Sequence, residues 1–419
     1  MISLKIKQKR IGPVVGRHPW VFSQAFVSIP EGLSPGKPVK LVSENGGFLA
    51  AGYFSSYSQI TVRIWGYDDN EDVNEQFFVR RIENAYQLRK QYVESSETNA
   101  CRLINGESDF LPGLIVDKYA DYLVVQFHTR GIEIWKDLIL GALDKVISPK
   151  GIYERSDTAF RRRENLICEH SEHEGEAPRA LLVEGATQAP VIDGLDSIQG
   201  VLSGSVPDFI TIKENSFQFL VDVKHGQKTG FFLDQRDKRK AIMKYVKDAS
   251  VLNCFSYTGG FAVYALAGGA RKVINIDTSE KAIELARENI KLNGFEADTC
   301  EFIARDVKDY LKHLDEDFDV IILDPPAFIK DRRKKNEGIA GYKSINEMAL
   351  RALSQSGILL TCSCSAHMKI EDFRFLLSEV GGKAKKTLRF LETFTHGIDH
   401  LQLVPFTEGE YLKCFFISI

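Results

Sequence analysis

The stretch Val251–Ala270, VLNCFSYTGGFAVYALAGGA, decides the fold. An apolar run breaks into a turn of small and polar residues, Asn253 to Gly260, and the apolar residues then resume at helical spacing. In an open α/β sheet the loop after the first strand lies at the carboxyl edge, where backbone N–H groups and a helix N-terminus meet a ligand. The next apolar run, KVINID, ends in Asp277, a carboxylate suited to two ribose hydroxyls. The turn lacks both the GxGxxG spacing of dinucleotide folds and the Lys-Ser/Thr of a P-loop. That argues against NAD and ATP and for a cationic, adenosine-bearing ligand without a phosphate chain. The alternative is a glycine turn that only lets a helix pack on a strand.

Outward from this turn, strand and helix patterns alternate, which is the signature of a doubly wound, parallel α/β sheet. The expected strands are Phe217–Val223, Val251–Phe255, Lys272–Ile276, Cys300–Ile303, Asp319–Leu323, Gly357–Thr361, Thr387–Phe394 and an appended Tyr411–Ile417. Helices are expected from Gly260, over Ser279–Leu292, through Asn346–Leu353 and from Glu371. An edge strand such as Tyr411–Ile417 leaves a homodimer open. Upstream, short β-branched runs between Gly, Pro and Ser over residues 1–70 read as a small all-β barrel. Residues 71–203 read as a middle α/β domain that opens with a helix over 74–93, and residues 204–419 form the α/β domain built around Val251–Ala270.

At 419 residues the chain is too long for one ordinary core. No apolar run approaches a membrane span, and MISLKIKQKR lacks the apolar core of a signal peptide, so a cytoplasmic protein is expected. The 7 cysteines show no CxxC pair and no close-spaced framework, so neither disulfides nor a metal site is expected. His170 and His173 lie in the polar, loop-like stretch Glu169 to Pro178, without partners at metal spacing. A net charge of −3 gives no global attraction to nucleic acid. Local clusters do: Lys5/Lys7/Lys9/Arg10, Arg161/Arg162/Arg163, Arg236/Lys238/Arg239/Lys240, Lys330/Arg332/Arg333/Lys334/Lys335 and Lys383/Lys385/Lys386 predict a polyanion-binding surface.

The chemistry gathers at strand ends. Asp306, in ARDV, is placed to accept from an adenine amine or to cap the helix that follows. In Leu323-Asp324-Pro325-Pro326-Ala327-Phe328 two prolines stop the strand and fix an extended backbone. That arrangement suits a planar base stacked on Phe328, with its edge bonded to Asp324 and a proline carbonyl. One strand further, LLTCSCS places Cys362 and Cys364 beside the same pocket. A thiolate that adds to C6 of cytosine turns C5 into an enamine-like nucleophile towards a sulfonium methyl group, and it leaves again after the C5 proton is lost.

These blocks together, HGQKTGFFLDQR (225–236), NCFSYTGGF, DPPAF, GYKSIN and TCSCS, resemble the S-adenosylmethionine-dependent 23S ribosomal RNA cytosine-5 methyltransferases of the large-subunit methyltransferase I type. The resemblance covers essentially the whole catalytic half. It implies an N-terminal PUA domain that binds RNA, carrying the basic and aromatic turn Arg17–Phe22, a middle α/β domain and a Rossmann-like seven-stranded methyltransferase sheet. It implies Cys364 as nucleophile and Asp324 as the group that holds the target base. Asn253, Phe255, Ser256, Gly259, Asp277, Asp306 and Gln235 would bind S-adenosylmethionine. Arg236, Pro325 and Phe328 would bind substrate, a large-subunit ribosomal RNA. Two departures stand out: Cys362 occupies a position where related chains carry an aromatic residue, so two thiols compete for one role, and Ala327 stands where another cytosine-5 subgroup has a second cysteine. Two other readings remain: a methyltransferase acting on an exocyclic base amine, for which Cys364 is dispensable, and a non-catalytic RNA-binding or ribosome-assembly protein.

Overall fold

The computed structural model describes residues 1–56, 58–156 and 198–419. The Arg161/Arg162/Arg163 cluster, the stretch Glu169 to Pro178 and its two histidines lie outside the described residues. The chain forms two compact units, one of residues 1–92, 101–208 and 403–406, the other of residues 93–100, 209–402 and 407–419.

In the first unit a curled five-stranded sheet runs in the order Ile2–Ile6, Pro38–Ser43, Phe48–Phe54, Ile60–Gly66, Trp20–Phe22. The expected basic and aromatic turn is in part a strand: Trp20–Phe22 pairs antiparallel with Ile60–Gly66. The Trp20 indole N–H donates to Glu107 at 2.8 Å and its ring packs on Phe406 at 4.7 Å, so this aromatic is spent on packing within the unit. Tyr53 and Trp65 of this sheet share one core with Phe77 and Phe78 of helix Glu75–Tyr92 and with Leu114, Val125 and Ile152 of the second sheet.

The second unit carries the seven-stranded sheet. Its strands are β1 (Ser250–Cys254), β2 (Lys272–Asp277), β3 (Cys300–Ala304), β4 (Phe318–Leu323), β5 (Leu353–Ser363), β6 (Arg389–Phe394) and β7 (Lys413–Ser418). Their order is β3-β2-β1-β4-β5-β7-β6, with β1 to β5 parallel and β7 antiparallel to both neighbours. Every residue of β1 is buried, as strands covered on both faces require, which is why its sequence is a continuous apolar run rather than an alternating one. Helix Gly260–Ala267 is buried all round. Helix Glu280–Leu292 keeps one apolar face and is capped by Ser279, whose side chain accepts from the Ala282 N–H. The core joins Leu252, Ile274, Ile321, Leu359 and Phe415 of the sheet to Tyr342, Ile345, Phe373 and Leu376 of the helices.

Strand order reverses at β1 and β4, and in such sheets ligands bind outside the carboxyl ends of the strands at that point. The structure corrects three sequence expectations here. Phe217–Val221 is outside the main sheet and forms a two-stranded antiparallel ribbon with Ile210–Glu214. The helix expected through Asn346–Leu353 spans Lys335–Arg351, and Leu353 already begins β5. The last strand is not an edge: β7 sits between β5 and β6, and its Cys414, Phe415, Phe416 and Ile417 are all fully buried, so it offers no free rim for pairing two chains. Among the described residues no helix is long and apolar enough to cross a membrane.

Candidate active site

The β1 turn is a strained one. Phe255, Tyr257 and Gly259 all take left-handed backbone, with φ of 59°, 46° and 76°. The two aromatics hold that conformation at about 1–2 kcal/mol each, and only surrounding bonds keep them there. Asp277, at the end of β2, supplies them: one carboxylate oxygen accepts from the Tyr257 N–H at 3.0 Å and the other from the Ser279 N–H at 3.0 Å. Ser256 N–H adds a bond to the Ile276 carbonyl. Gly259 is required for space as well as for φ, since a Cβ there would lie 2.9 Å from the Ala286 Cβ.

Around this turn three buried polar atoms, Asn253 Oδ1, Ser256 Oγ and Thr258 Oγ1, have no hydrogen-bond partner among the described residues. Buried polar atoms are nearly always satisfied, and three orphans in one turn are what a polar ligand would complete. The Asn253 amide NH2 is already committed, donating to Asn275 Oδ1 at 2.9 Å, so its oxygen is the part left for a ligand. Asp306 is exposed and caps helix Val307–Lys312, accepting from the Asp309 N–H at 2.9 Å. The cap and a ligand contact are compatible, because the second carboxylate oxygen makes no hydrogen bond among the described residues.

The ends of β4 and β5 are brought together. The Cys364 thiol, half-buried, donates to the Pro325 carbonyl at 3.6 Å. Asp324 accepts from the Gln235 side-chain amide at 2.8 Å. Burial pushes the Asp324 carboxyl up to about 7, helped by the nearby Asp234 charge and opposed by Arg239, Lys238 and the Gln235 bond. Burial likewise pushes the Cys364 thiol up to about 12, with Asp324 and Asp234 adding to the rise and Lys228 opposing it. The two thiols of TCSCS are therefore not equivalent. Cys362 is 1% exposed, lies opposite Cys414 across the β5–β7 pairing, and is held far above the ordinary thiol range by burial and by that neighbour. Cys254 is fully buried in the core, where desolvation also raises its thiol.

Ser365 locks the β5 end. Its hydroxyl bonds the Ile329 N–H at 3.1 Å and the Tyr342 hydroxyl at 2.9 Å, while its carbonyl accepts from the Lys413 ammonium at 2.8 Å. Lys413 is 3% exposed, and burial lowers it to about 8 despite the neighbouring Cys364. Sequence reasoning missed Lys413 and Asp234 and took the buried Lys238 for part of a polyanion surface. A visible signal existed for the first, a lysine embedded in the apolar run YLKCFFIS.

Gln235, expected at the cofactor, and Arg236, expected at the substrate, are both engaged by other residues of the chain. Gln235 does not lie loose over a ligand but is bonded to Asp324. Arg236 is buried, ion-paired with Asp399 at 3.1 Å and bonded to the Ala100 carbonyl at 2.7 Å. Arg239 pairs with Glu214 through two 2.7 Å bonds, and Lys238, fully buried, donates to the Asp234 carbonyl. The Arg236/Lys238/Arg239/Lys240 cluster is thus no polyanion surface: only Lys240 is exposed, because Glu214 and Asp399 neutralise the arginines inside. Phe328 packs at 4.7 Å on Tyr342, with the Lys308 ammonium 5.4 Å above its ring.

Residues 191–407 match the model of an S-adenosylmethionine-dependent methyltransferase family, and residues 4–66 match that of a PUA-like domain. Relatives named ribosomal RNA large subunit methyltransferase I are similar along the whole chain. The one from Cronobacter sakazakii is 38% identical over 99% of this chain and 98% of its own length. Those of Aliivibrio fischeri and Escherichia coli are 39% and 36% identical over the same shares. Two solved structures cover 100% of both chains at 23% identity and share the fold: a methyltransferase candidate complexed with SAH, TM-score 0.81, and a candidate SAM-dependent methyltransferase from Streptococcus mutans, TM-score 0.80.

Proposed function

The chain belongs to the ribosomal RNA large subunit methyltransferase I family and is an S-adenosylmethionine-dependent methyltransferase, and from this premise we propose that it methylates C5 of a cytosine in large-subunit ribosomal RNA through a Cys364 adduct. The supporting observation is the Cys364 Sγ, 3.6 Å from the Pro325 carbonyl and beside Asp324, while Cys362 is sealed against Cys414. The names of the relatives and the PUA-like domain support ribosomal RNA as substrate.

When bound, S-adenosylmethionine supplies an electrophilic methyl group. Asn253, Ser256 and Gly259 of the β1 turn, with Phe255, would hold it together with Asp277 and Asp306, and the orphaned oxygens of Asn253 and Ser256 fit that task. Gln235 acts through Asp324, which it orients. Asp324 keeps its proton to near neutrality and so can donate it to ring N3 of the cytosine as the Cys364 sulfur, its own proton released to water, adds to C6. Pro325 offers its carbonyl to the exocyclic amine once the thiol has left it. The electron pair that reaches C5 would form the new carbon–carbon bond as the methyl group parts from the sulfonium sulfur; loss of the C5 proton to water then expels the Cys364 thiolate, and the N3 proton returns to Asp324.

Mass spectrometry of nucleosides from RNA treated with the enzyme should show 5-methylcytidine. RNA carrying 5-fluorocytidine, which has no C5 proton to lose, should be trapped as a covalent complex by the wild type and not by Cys364→Ala. An N-methylated nucleoside would replace this reading with exocyclic amine methylation, and normal turnover by Cys364→Ala would remove the adduct.

A further inference from the structure

The segment that follows Asp324 and Pro325 leads into a second concavity. Phe328 and Pro326 line a surface pocket of about 340 Å³, at the lower end of the range for sites that hold a small ligand. Lys308 and Lys330 stand at its sides, and Gly338 and Gly341, one helical turn apart on helix Lys335–Arg351, form its floor. The absence of side chains on that turn is what makes room. A Cβ at Gly341 would lie 3.1 Å from the Phe328 ring, and one at Gly338 would lie 2.8 Å from the Phe328 carbonyl.

The charge around this pocket is unbalanced. Of the basic run after it, Arg333 is paired with Asp331 and Lys335 with Asp372. Lys308, Lys330, Arg332 and Lys334 have no carboxylate partner among the described residues, and the last three are exposed. This contrasts with the buried cluster around Arg236, where each arginine meets an acid. An aromatic ring beneath an ammonium, with a second lysine in the lining and more cations in the chain that follows, is the combination that single-stranded nucleic acid uses: a base stacks on the ring while phosphates follow the charges. Glu337, also in the lining, supplies an acceptor for a base amine.

We infer that this pocket takes a nucleotide of the RNA strand adjacent to the methylated one, with its base on Phe328 and its phosphate held between Lys308 and Lys330. The inference rests on the proposed RNA substrate and reassigns Phe328 from the target base to its neighbour. The Asp324–Phe328 segment then serves both nucleotides, target at one end and neighbour at the other. The two prolines fix the spacing between them.

The test measures fluorescence anisotropy of a labelled single-stranded RNA oligonucleotide on the full-length protein, with methyl transfer to ribosomal RNA followed in parallel. Lys308→Glu with Lys330→Glu should weaken binding at least tenfold and reduce the slope of affinity against salt by about 0.7, the value for one phosphate. Phe328→Ala should weaken binding about tenfold with the slope unchanged. Because Phe328 also packs on the core, the two lysine variants, whose side chains lie at the surface, keep the test independent of folding. Lys247→Glu with Lys312→Glu, an equal charge change at two exposed lysines outside the pocket, should have little effect; an equal loss there would overturn the pocket. Unchanged affinity in the Lys308/Lys330 pair would overturn it too, even in an enzyme that methylates RNA. Pocket-dependent binding by a protein that transfers no methyl group to RNA would sink the proposed function and leave the pocket standing.

Discussion

The ends of β1 and β5 lie at the same edge of one sheet and are finished in opposite ways. After β1 the chain takes left-handed backbone at Phe255, Tyr257 and Gly259 and leaves Asn253, Ser256 and Thr258 with unpartnered oxygens. After β5 every polar group of Ser365 is bonded, to Ser363, Ile329, Tyr342 and Lys413, and only the Cys364 thiol is presented. The unpartnered oxygens of the β1 turn support the proposal that the cofactor completes it. Beyond β5 the bonded Ser365 holds one atom, the Cys364 sulfur, in place, although Thr361 Oγ1 within the strand has itself no partner among the described residues.

The strongest way to break this contrast is at the two thiols. Cys364→Ala should lower kcat/KM for RNA methylation by at least about 10³-fold, or roughly 4 kcal/mol of transition-state stabilisation, with S-adenosylmethionine affinity in calorimetry unchanged. Cys362→Ala should do the reverse: a loss of about 1–2 kcal/mol in unfolding free energy from the small cavity left beside Cys414, with kcat within twofold of wild type. If the two variants exchange these phenotypes, the assignment of the nucleophile by exposure fails.

The opposite end is probed by Gly259→Ala. The added Cβ meets both an unfavourable φ of 76° and Ala286 at 2.9 Å, so denaturant unfolding should show a loss of about 3 kcal/mol. The larger signature is in ligand linkage. Saturating S-adenosylmethionine should raise the melting temperature of the wild type and much less that of the variant, because the turn that presents Ser256 and Thr258 is displaced. An undiminished ligand-induced shift would mean that the orphaned oxygens do not meet the cofactor.

The same contrast explains what was legible in the sequence. Strands β1, β2 and β4 and the second half of β5 announce themselves as apolar runs because both their faces are covered, and Asp277, Asp324 and Cys364 stand where those runs stop. The pairing of strands was not legible: nothing local in KCFFIS states that β7 inserts between β5 and β6, although its lack of alternation is that of a strand buried on both faces. Charge runs misled for a related reason. The cluster at 236–240 and the run at 330–335 look alike in sequence, but the first has Glu214 and Asp399 as buried partners from distant segments, and only tertiary structure supplies those. The bond from Gln235 to Asp324, which spans 89 residues, was not legible for the same lack of a visible long-range partner.

The smallest expected effect concerns the carboxyl between the two strand ends. The folded-state pKa of Asp324, about 7, lies above the 3.8 of an ordinary aspartate, so the folded chain keeps a proton that the unfolded chain releases. The stability this proton contributes is fully present below pH 3.8 and is lost as pH rises to about 7; above that the wild type carries a poorly solvated anion beside Asp234. Asp324→Asn carries no charge at any pH and preserves a side chain of the same shape. It should therefore be more stable than the wild type by about 2 kcal/mol at pH 8, and the gain should vanish near pH 4. Thermal melts of both proteins at the two pH values read this directly, and a gain that is equal at both would show that the carboxyl is ionised in the ordinary range. The variant should at the same time be severely impaired in methyl transfer, for it has no proton to move to N3. A more stable and less active protein is the expected mark of a group kept at the β4 end for chemistry rather than for folding.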